Sequence, residues 1–288
     1  MLELIEASAA QLDAAGLTFE NGFGQGTTNA FDEAAWLVLW QLGLPLDDLD
    51  SVSNRPVAEA ERAQVATLLG ARISTRRPAA YLTQEAWLMG VPFYVDERVI
   101  IPRSFIAELL VDESIDPWLS EHTKRLLDLC TGNGSLAVLA AMTYPDVLVD
   151  AADISPDALA VAHINIDKHA LGSRITLIES DGLLACLGKY DLILCNPPYV
   201  NAASMAALPA EFKAEPALAL GGGSDGMDFI RSLFLTAAAH MSENAVLVLE
   251  IGNERDNFER AFPQLEPLWF ETSAGSDQVM LITREQLV

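Results

Sequence analysis

The chain is 288 residues long, a length that suits one large domain or a main domain with a smaller attachment. Its 17 Lys and Arg against 41 Asp and Glu leave a net charge of −24, which argues against a non-specific nucleic-acid binder, because such proteins supply cations to displace phosphate counterions. A hydrophobic share of 51% with 20% charged residues excludes disorder and provides material for a large core.

The amino terminus, Met1-Leu2-Glu3-Leu4-Ile5-Glu6, is acidic and lacks the basic-then-apolar order of a signal peptide. No apolar run reaches the roughly 18 residues of a membrane span, so a cytoplasmic protein without membrane contact is expected. Apolar residues recur at helical spacing near 2–15, 30–42 and 57–73, punctuated by Gly16, Gly43-Leu44-Pro45 and Gly70. Thr28 or Asn29 can cap the second of these helices, whose Trp36, Leu37, Leu39 and Trp40 are expected to pack inward, with Trp87 also in the core of this region. Trp87 to Ile101 alternates, with turn points at Gly90 and Asp96-Glu97, and predicts a β-hairpin. From about residue 124 strands alternate with helices. The strands are expected at 125–129, 147–153, 175–179, 191–195, 245–251 and near 267–272 and 278–283. The helices are expected at 135–142, 156–170, 227–241 and 254–262, the second opening with Ser155 as N-cap and Pro156 in the first helical position. Such alternation implies a mostly parallel sheet covered on both faces. Three regions follow: a helical part over 1–85, a hairpin linker over 86–110 and a sheet domain over 111–288.

The three cysteines, Cys130, Cys186 and Cys195, form no close pair, so neither a disulfide framework nor a metal site is expected. His122, His163, His169 and His240 are scattered and read as surface or capping residues.

The sequence Asp128-Leu129-Cys130-Thr131-Gly132-Asn133-Gly134-Ser135 lies between the first strand and first helix of the alternating unit. Glycines there permit a tight turn and close approach of backbone to a ligand. A dinucleotide fingerprint would continue with a third Gly at Ala137, where Ala is tolerated, so the loop alone leaves a nicotinamide cofactor open. The second strand ends in Asp153, about 20 residues on, where a carboxylate accepts hydrogen bonds from both hydroxyls of a ribose. An adenosine ligand follows, and acidic surroundings at Asp128 favour a sulfonium over a pyrophosphate.

The strand Asp191 to Cys195 runs straight into Asn196-Pro197-Pro198-Tyr199. Two prolines in succession fix φ and hold Asn196 away from helical geometry. The Asn196 side-chain oxygen and the Pro197 carbonyl can then serve as a rigid pair of acceptors beside the Tyr199 ring, a site suited to a planar NH2 group.

In these motifs the chain resembles the class I S-adenosylmethionine-dependent methyltransferases and, within them, the protein-glutamine N5-methyltransferases. The likeness covers about residues 75–288, through Tyr81-Leu82, Ile101-Pro102-Arg103-Ser104, the loop at 128–135, Asp153-Ile154-Ser155-Pro156-Asp157-Ala158-Leu159, Asn196-Pro197-Pro198-Tyr199-Val200, Glu215-Pro216 and Gly222-Gly223-Ser224-Asp225-Gly226. The tetrapeptide alone is shared with adenine-N6 methyltransferases of nucleic acids, whereas its combination with Pro102-Arg103 and Glu215-Pro216 is far more specific. The branch acting on peptide chain release factors usually reads Pro-x-Thr-Glu after Pro-Arg. Here the chain reads Ser104-Phe105-Ile106-Ala107-Glu108 and resembles the branch that methylates a glutamine of the third large-subunit ribosomal protein. It departs from that branch at Phe105, Asn133 and Ser135.

The resemblance implies a Rossmann-like seven-stranded sheet, S-adenosylmethionine as cofactor, a basic ribosomal protein or a release factor as partner, no direct contact with nucleic acid, and acceptor recognition by the helical region 1–85. It implies catalysis at Asn196, Pro197, Pro198 and Tyr199. Cys130, Thr131, Gly132 and Gly134 fall along the methionine portion of the cofactor, Asp153 on the ribose, and Asp181 with Gly182 near the adenine. Asp128, Asn133, Ile154 and Asn196 join this cofactor set, while Arg103 and Glu215 lie on the substrate side. Arg103 braces a loop, meets the cofactor carboxylate, or forms a purely structural ion pair. Ribosomal proteins are generally strongly basic, so an amino-terminal region without Lys or Arg through residue 50 either steers such a partner or serves solubility alone.

Overall fold

The computed structural model describes residues 1–288. The helical region consists of α1 (Leu2–Ala14), α2 (Ala30–Gln41), the short α3 (Leu49–Val52), α4 (Glu59–Thr75) and α5 (Ala79–Thr83). Asn29 is the cap of α2, its side chain accepting the Asp32 N–H at 2.9 Å. Ile5, Leu12, Leu37, Val38, Val65 and Leu69 bury one face of each long helix in a common core. Leu37 and Leu39 are buried as expected, but Trp36 and Trp40 are only half-buried and Trp87 is 44% exposed. Those rings face the margin of the region rather than its centre.

The hairpin is shorter than its alternation implies. Strands β1 (Glu85–Leu88) and β2 (Val91–Tyr94) pair antiparallel around Met89 and Gly90, whose φ values of 49° and 76° match a two-residue turn of the primed type. Beyond Tyr94 the Asp96 carboxylate takes the Arg98 N–H at 3.1 Å, and the chain turns instead of continuing the ladder. Val95, Val99 and Ile101 then pack with Tyr81 onto Ala158 and Val161. A boundary at residue 110 runs through helix α6 (Ile106–Val111), whose Ile106, Leu109 and Leu110 share the core of the sheet.

The sheet contains β3 (Arg125–Leu129), β4 (Leu148–Asp153), β5 (Ile175–Glu179), β6 (Tyr190–Cys195), β7 (Met241–Glu250), β8 (Leu268–Trp269) and β9 (Val279–Thr283) in the order β5-β4-β3-β6-β7-β9-β8. Only β9 runs antiparallel to its neighbours. This is the seven-stranded arrangement of the class I methyltransferase fold. Helices α7 (Ser135–Thr143), α8 (Pro156–Lys168), α10 (Asp228–His240) and α11 (Arg255–Ala261) accompany it. Two apolar cores line the sheet, one holding Leu126, Leu192 and Val246, the other Leu127, Ile193 and Leu247, so successive residues of the central strands face opposite layers. Helices α6 and α9 (Ala202–Ala207) and the four-residue α3 escape a periodicity reading because each is too short to repeat its pattern. No helix is long and apolar enough to cross a membrane.

The helical region is clamped to the sheet domain by a buried charge cluster. Arg72 of α4 is fully buried, bonding Glu33 at 2.7 Å, Glu211 at 3.3 Å and the Gly22 carbonyl at 2.6 Å, while Arg76 reaches Glu211 at 2.6 Å. Removing one member of such a cluster strands the others in low dielectric. Arg72→Leu should therefore cost about 3–5 kcal/mol in unfolding free energy, as measured by chemical denaturation; a loss below about 1 kcal/mol, the scale of an exposed pair, would contradict the cluster's role.

Candidate active site

The chain lays β3, β4 and β5 to one side and then crosses over to β6, so the loops that follow β3 and β6 face each other at the carboxyl edge. Open α/β sheets bind ligands at this switch point. After β3 the backbone enters left-handed conformations at Cys130, Gly132 and Gly134, with φ of 62°, 55° and 80°. Asp128 anchors the loop from below. One of its oxygens accepts the Thr131 hydroxyl and the Ala137 N–H, the latter at 2.9 Å, while the other is buried without a partner. Burial pushes the Asp128 carboxyl up to about 7, with the two hydrogen bonds opposing.

Asp153 closes β4 and binds the same loop, accepting Gly132 N–H and Ser155 N–H at 2.9 Å each. Ser155 caps α8 by accepting the Ala158 N–H at 3.2 Å, so Asp153 is not needed as the cap. Burial raises the Asp153 carboxyl too, against these backbone donors. A cavity of about 170 Å³ opens between the loops, lined by Cys130, Gly132, Asp153, Ile154, Asp181, Gly182 and Asn196. Asp128, Thr131, Asn133 and Gly134, grouped above with the cofactor residues, do not line it. They stand behind the loop: the Asn133 carbonyl accepts the Asn165 side-chain amide of α8 at 2.9 Å, and Gly134 packs on Ala162. Residues 128–134 act as one unit, of which Leu129, Cys130 and Gly132 face the ligand space.

Asn196 also lines a second cavity of about 150 Å³, together with Pro197, Tyr199, Arg103 and Phe212. It therefore forms the partition between the two spaces. Pro198 borders the first cavity and Pro197 the second, so the consecutive prolines alternate sides. The Tyr199 ring is locked by glycines. A Cβ at Gly252 would lie 2.5 Å from it, and one at Gly226 would collide with the Tyr199 carbonyl.

Arg103 and Glu215 meet each other. The guanidinium grips both carboxylate oxygens at 2.6 and 2.7 Å, and Glu215 also accepts the Ile101 N–H at 3.0 Å. Glu215 is fully buried at its side chain, so it is a brace and not a substrate contact; Arg103 remains part of the cavity wall. Glu250, which the motifs did not single out, closes β7 beside this pair. It accepts Ser104 Oγ at 2.6 Å, Phe105 N–H at 2.9 Å and the Tyr199 hydroxyl at 3.4 Å. The available signal was an acidic residue ending an otherwise apolar strand at the carboxyl edge.

Residues 107–224 match the Methyltransferase small domain family. The chain is 51% identical over 288 residues to the ribosomal protein uL3 glutamine methyltransferase of Bordetella pertussis, covering 99% of this chain and 95% of that protein. It is 42% identical over 296 residues to the enzyme of the same name from Bradyrhizobium diazoefficiens, covering 100% of this chain and 91% of that one. The chain belongs to the ribosomal protein uL3 glutamine methyltransferase family. Among solved structures, the human METTL16 catalytic domain in complex with MAT2A 3'UTR hairpin 6 has a similar fold. The TM-score is 0.53 at 13% identity, over 78% of this chain and 81% of that one.

The cofactor is S-adenosylmethionine, and the first cavity fits it. A Cβ at Gly132 or Gly182 would meet no protein atom within 4 Å, so both backbones border open space. Asp153 keeps free lone pairs for ribose hydroxyls, and Ile154, Ala158 and Phe229 supply apolar wall for a flat base.

Burial also pushes the Glu250 carboxyl up to about 7. Asp128 and Glu250 thus keep a proton in the folded chain over a range where unfolded carboxyls, with pKa values of about 4, have lost it. The stability they contribute is complete below about pH 4 and is lost as pH rises through about 7. Glu250→Gln, which cannot titrate, should remove on the order of 3 kcal/mol of the decline in unfolding free energy between about pH 5 and 8. Denaturant titrations at each pH measure this, and a decline identical to that of the unaltered chain would refute it.

Proposed function

We propose that this protein transfers a methyl group from S-adenosylmethionine to the side-chain amide nitrogen of a glutamine in ribosomal protein uL3. The observation that carries this reading is the position of Asn196 as the shared wall of the cavity beside the 128–134 loop and Asp153 and a second one bounded by Pro197 and Tyr199. The names of the relatives support the acceptor.

Bound S-adenosylmethionine supplies an electrophilic methyl group on a sulfonium. The residues of the chain deal with the other reactant, a poor nucleophile whose nitrogen lone pair is delocalised into its carbonyl. Asn196 and the Pro197 carbonyl accept the two amide hydrogens and turn the lone pair towards the first cavity. The same acceptors would stabilise the positive charge that builds on the amide nitrogen as it takes the methyl group. The nitrogen then loses a proton that became acidic only on methylation, so no strong base is needed. Tyr199, tied to Glu250 and confined by Gly252, walls the amide. Arg103 holds the roof of the second cavity through Glu215 and lies 5.3 Å from the Phe212 ring. Residues 1–85 serve as the acceptor-recognition region in this scheme, with 86–110 joining them to the methyltransferase domain at 111–288.

Asn196→Ala should lower kcat for uL3 by at least about 100-fold while S-adenosylmethionine still binds. Mass spectrometry of uL3, with calorimetry for the cofactor, reads the two effects separately, and undiminished turnover would sink the role given to Asn196. Offering a release factor beside uL3 tests the acceptor: methylation of the release factor alone would move the protein to the neighbouring branch.

A further inference from the structure

A groove of about 530 Å³ lies between α2 and the hairpin, some distance in sequence from every residue of the active site. Phe31, Trp36 and Trp87 line it, with Phe31 38% and Trp87 44% exposed. Large aromatic side chains exposed together on a half-open surface mark a binding surface more often than isolated apolar residues do. Asp32 and Asp47 also line the groove, and no Lys or Arg does. Residues 1–50 contain nine Asp and Glu and no Lys or Arg, and the first arginine of the chain, Arg55, is paired with Glu61 at 2.5 Å. The Trp87 indole donates to Glu85 at 2.9 Å, which adds a further carboxylate beside the ring.

We propose that this groove docks a lysine- or arginine-bearing segment of the acceptor protein. Its cations sit against the faces of Trp36, Trp87 and Phe31 under the carboxylates of Asp32 and Asp47. The inference rests on the proposed function, since a basic ribosomal protein is the acceptor named there. The groove is held in register with the chemistry. Asn165 of α8 bonds both the N–H and the carbonyl of Tyr94, at 2.7 and 3.0 Å, and also the Asn133 carbonyl of the cofactor loop. The hairpin that carries Trp87 is thereby tied, through Tyr94, to the loop that lines the first cavity.

The test uses the full chain carrying Asp32→Lys with Asp47→Lys and, separately, Trp87→Ala. The control is an equal charge reversal, Glu121→Lys with Asp146→Lys, in exposed loops bordering a hollow at the opposite edge of the sheet. Octalysine, followed by tryptophan fluorescence, probes the groove directly. Its Kd should rise at least tenfold in the Asp32/Asp47 variant and severalfold in Trp87→Ala, and much less in the control. With uL3 as substrate the groove variants should raise KM by a similar factor and leave kcat and S-adenosylmethionine affinity unchanged. Equal weakening in control and groove variants, or an unchanged Kd and KM, would overturn the proposal. So would concentration-dependent dimers that Trp87→Ala dissolves, since the groove would then be covered by a second copy. Octalysine binding that obeys the expected pattern, together with no methylation of uL3 by the unaltered enzyme, would support the groove and remove the acceptor reading instead.

Discussion

The arrangement of the whole molecule depends on two buried carboxylates four residues apart in one irregular segment. Glu211 is taken by Arg72 and Arg76 of the helical region, and Glu215 by Arg103. Both acids are inaccessible at their side chains, so neither tolerates a missing partner. The segment that follows Asn196-Pro197-Pro198-Tyr199 is thereby pinned at two points, once to the amino-terminal helices and once to the loop at 101–103. Such pairs are weak sources of net stability, because desolvation offsets their attraction. Their consequence here is positional: the roof of the second cavity has one permitted place.

The same economy of placement governs the sheet's carboxyl edge. Asp128 and Glu250 are buried there and Asp153 is partly so, and desolvation raises all three carboxyls. None is matched by a cation as closely as Glu215 is. Each instead holds backbone N–H groups or hydroxyls of an adjoining loop: Ala137 and Thr131, Gly132 and Ser155, Phe105 and Ser104. Carboxyls used in this way order loops that have no regular structure of their own.

The negative charge is spread along the chain, and residues 1–50 differ from the rest in holding nine Asp and Glu with no Lys or Arg. At the Asn196 partition, Asp153 and Asp181 line the first cavity, while the second is mainly apolar side chains and proline with Arg103. The stretch without Lys or Arg spans α1, α2 and all of the groove's lining residues except Trp87. An end of the molecule so free of cations is compatible with the approach of a basic protein partner.

Much of this was determined by sequence alone, wherever a local rule was strong. The alternation of apolar strands and helices fixes the parallel sheet, Ser155-Pro156 starts α8, and Asn196-Pro197-Pro198-Tyr199 after β6 locates the acceptors, because two prolines allow little conformational choice. Tertiary structure decided what local rules do not reach. Glu215 could have faced substrate until Arg103, more than a hundred residues away in sequence, closed on it. Glu250 carried no motif and became part of the site only when β7 took its place beside β6. Trp87 had the composition of a core residue, yet the primed turn at Met89-Gly90 left it on the surface. In each case the deciding factor is which face of an element meets a distant one. That depends on the balance of burial against desolvation over the whole chain, and no window of neighbouring residues contains it.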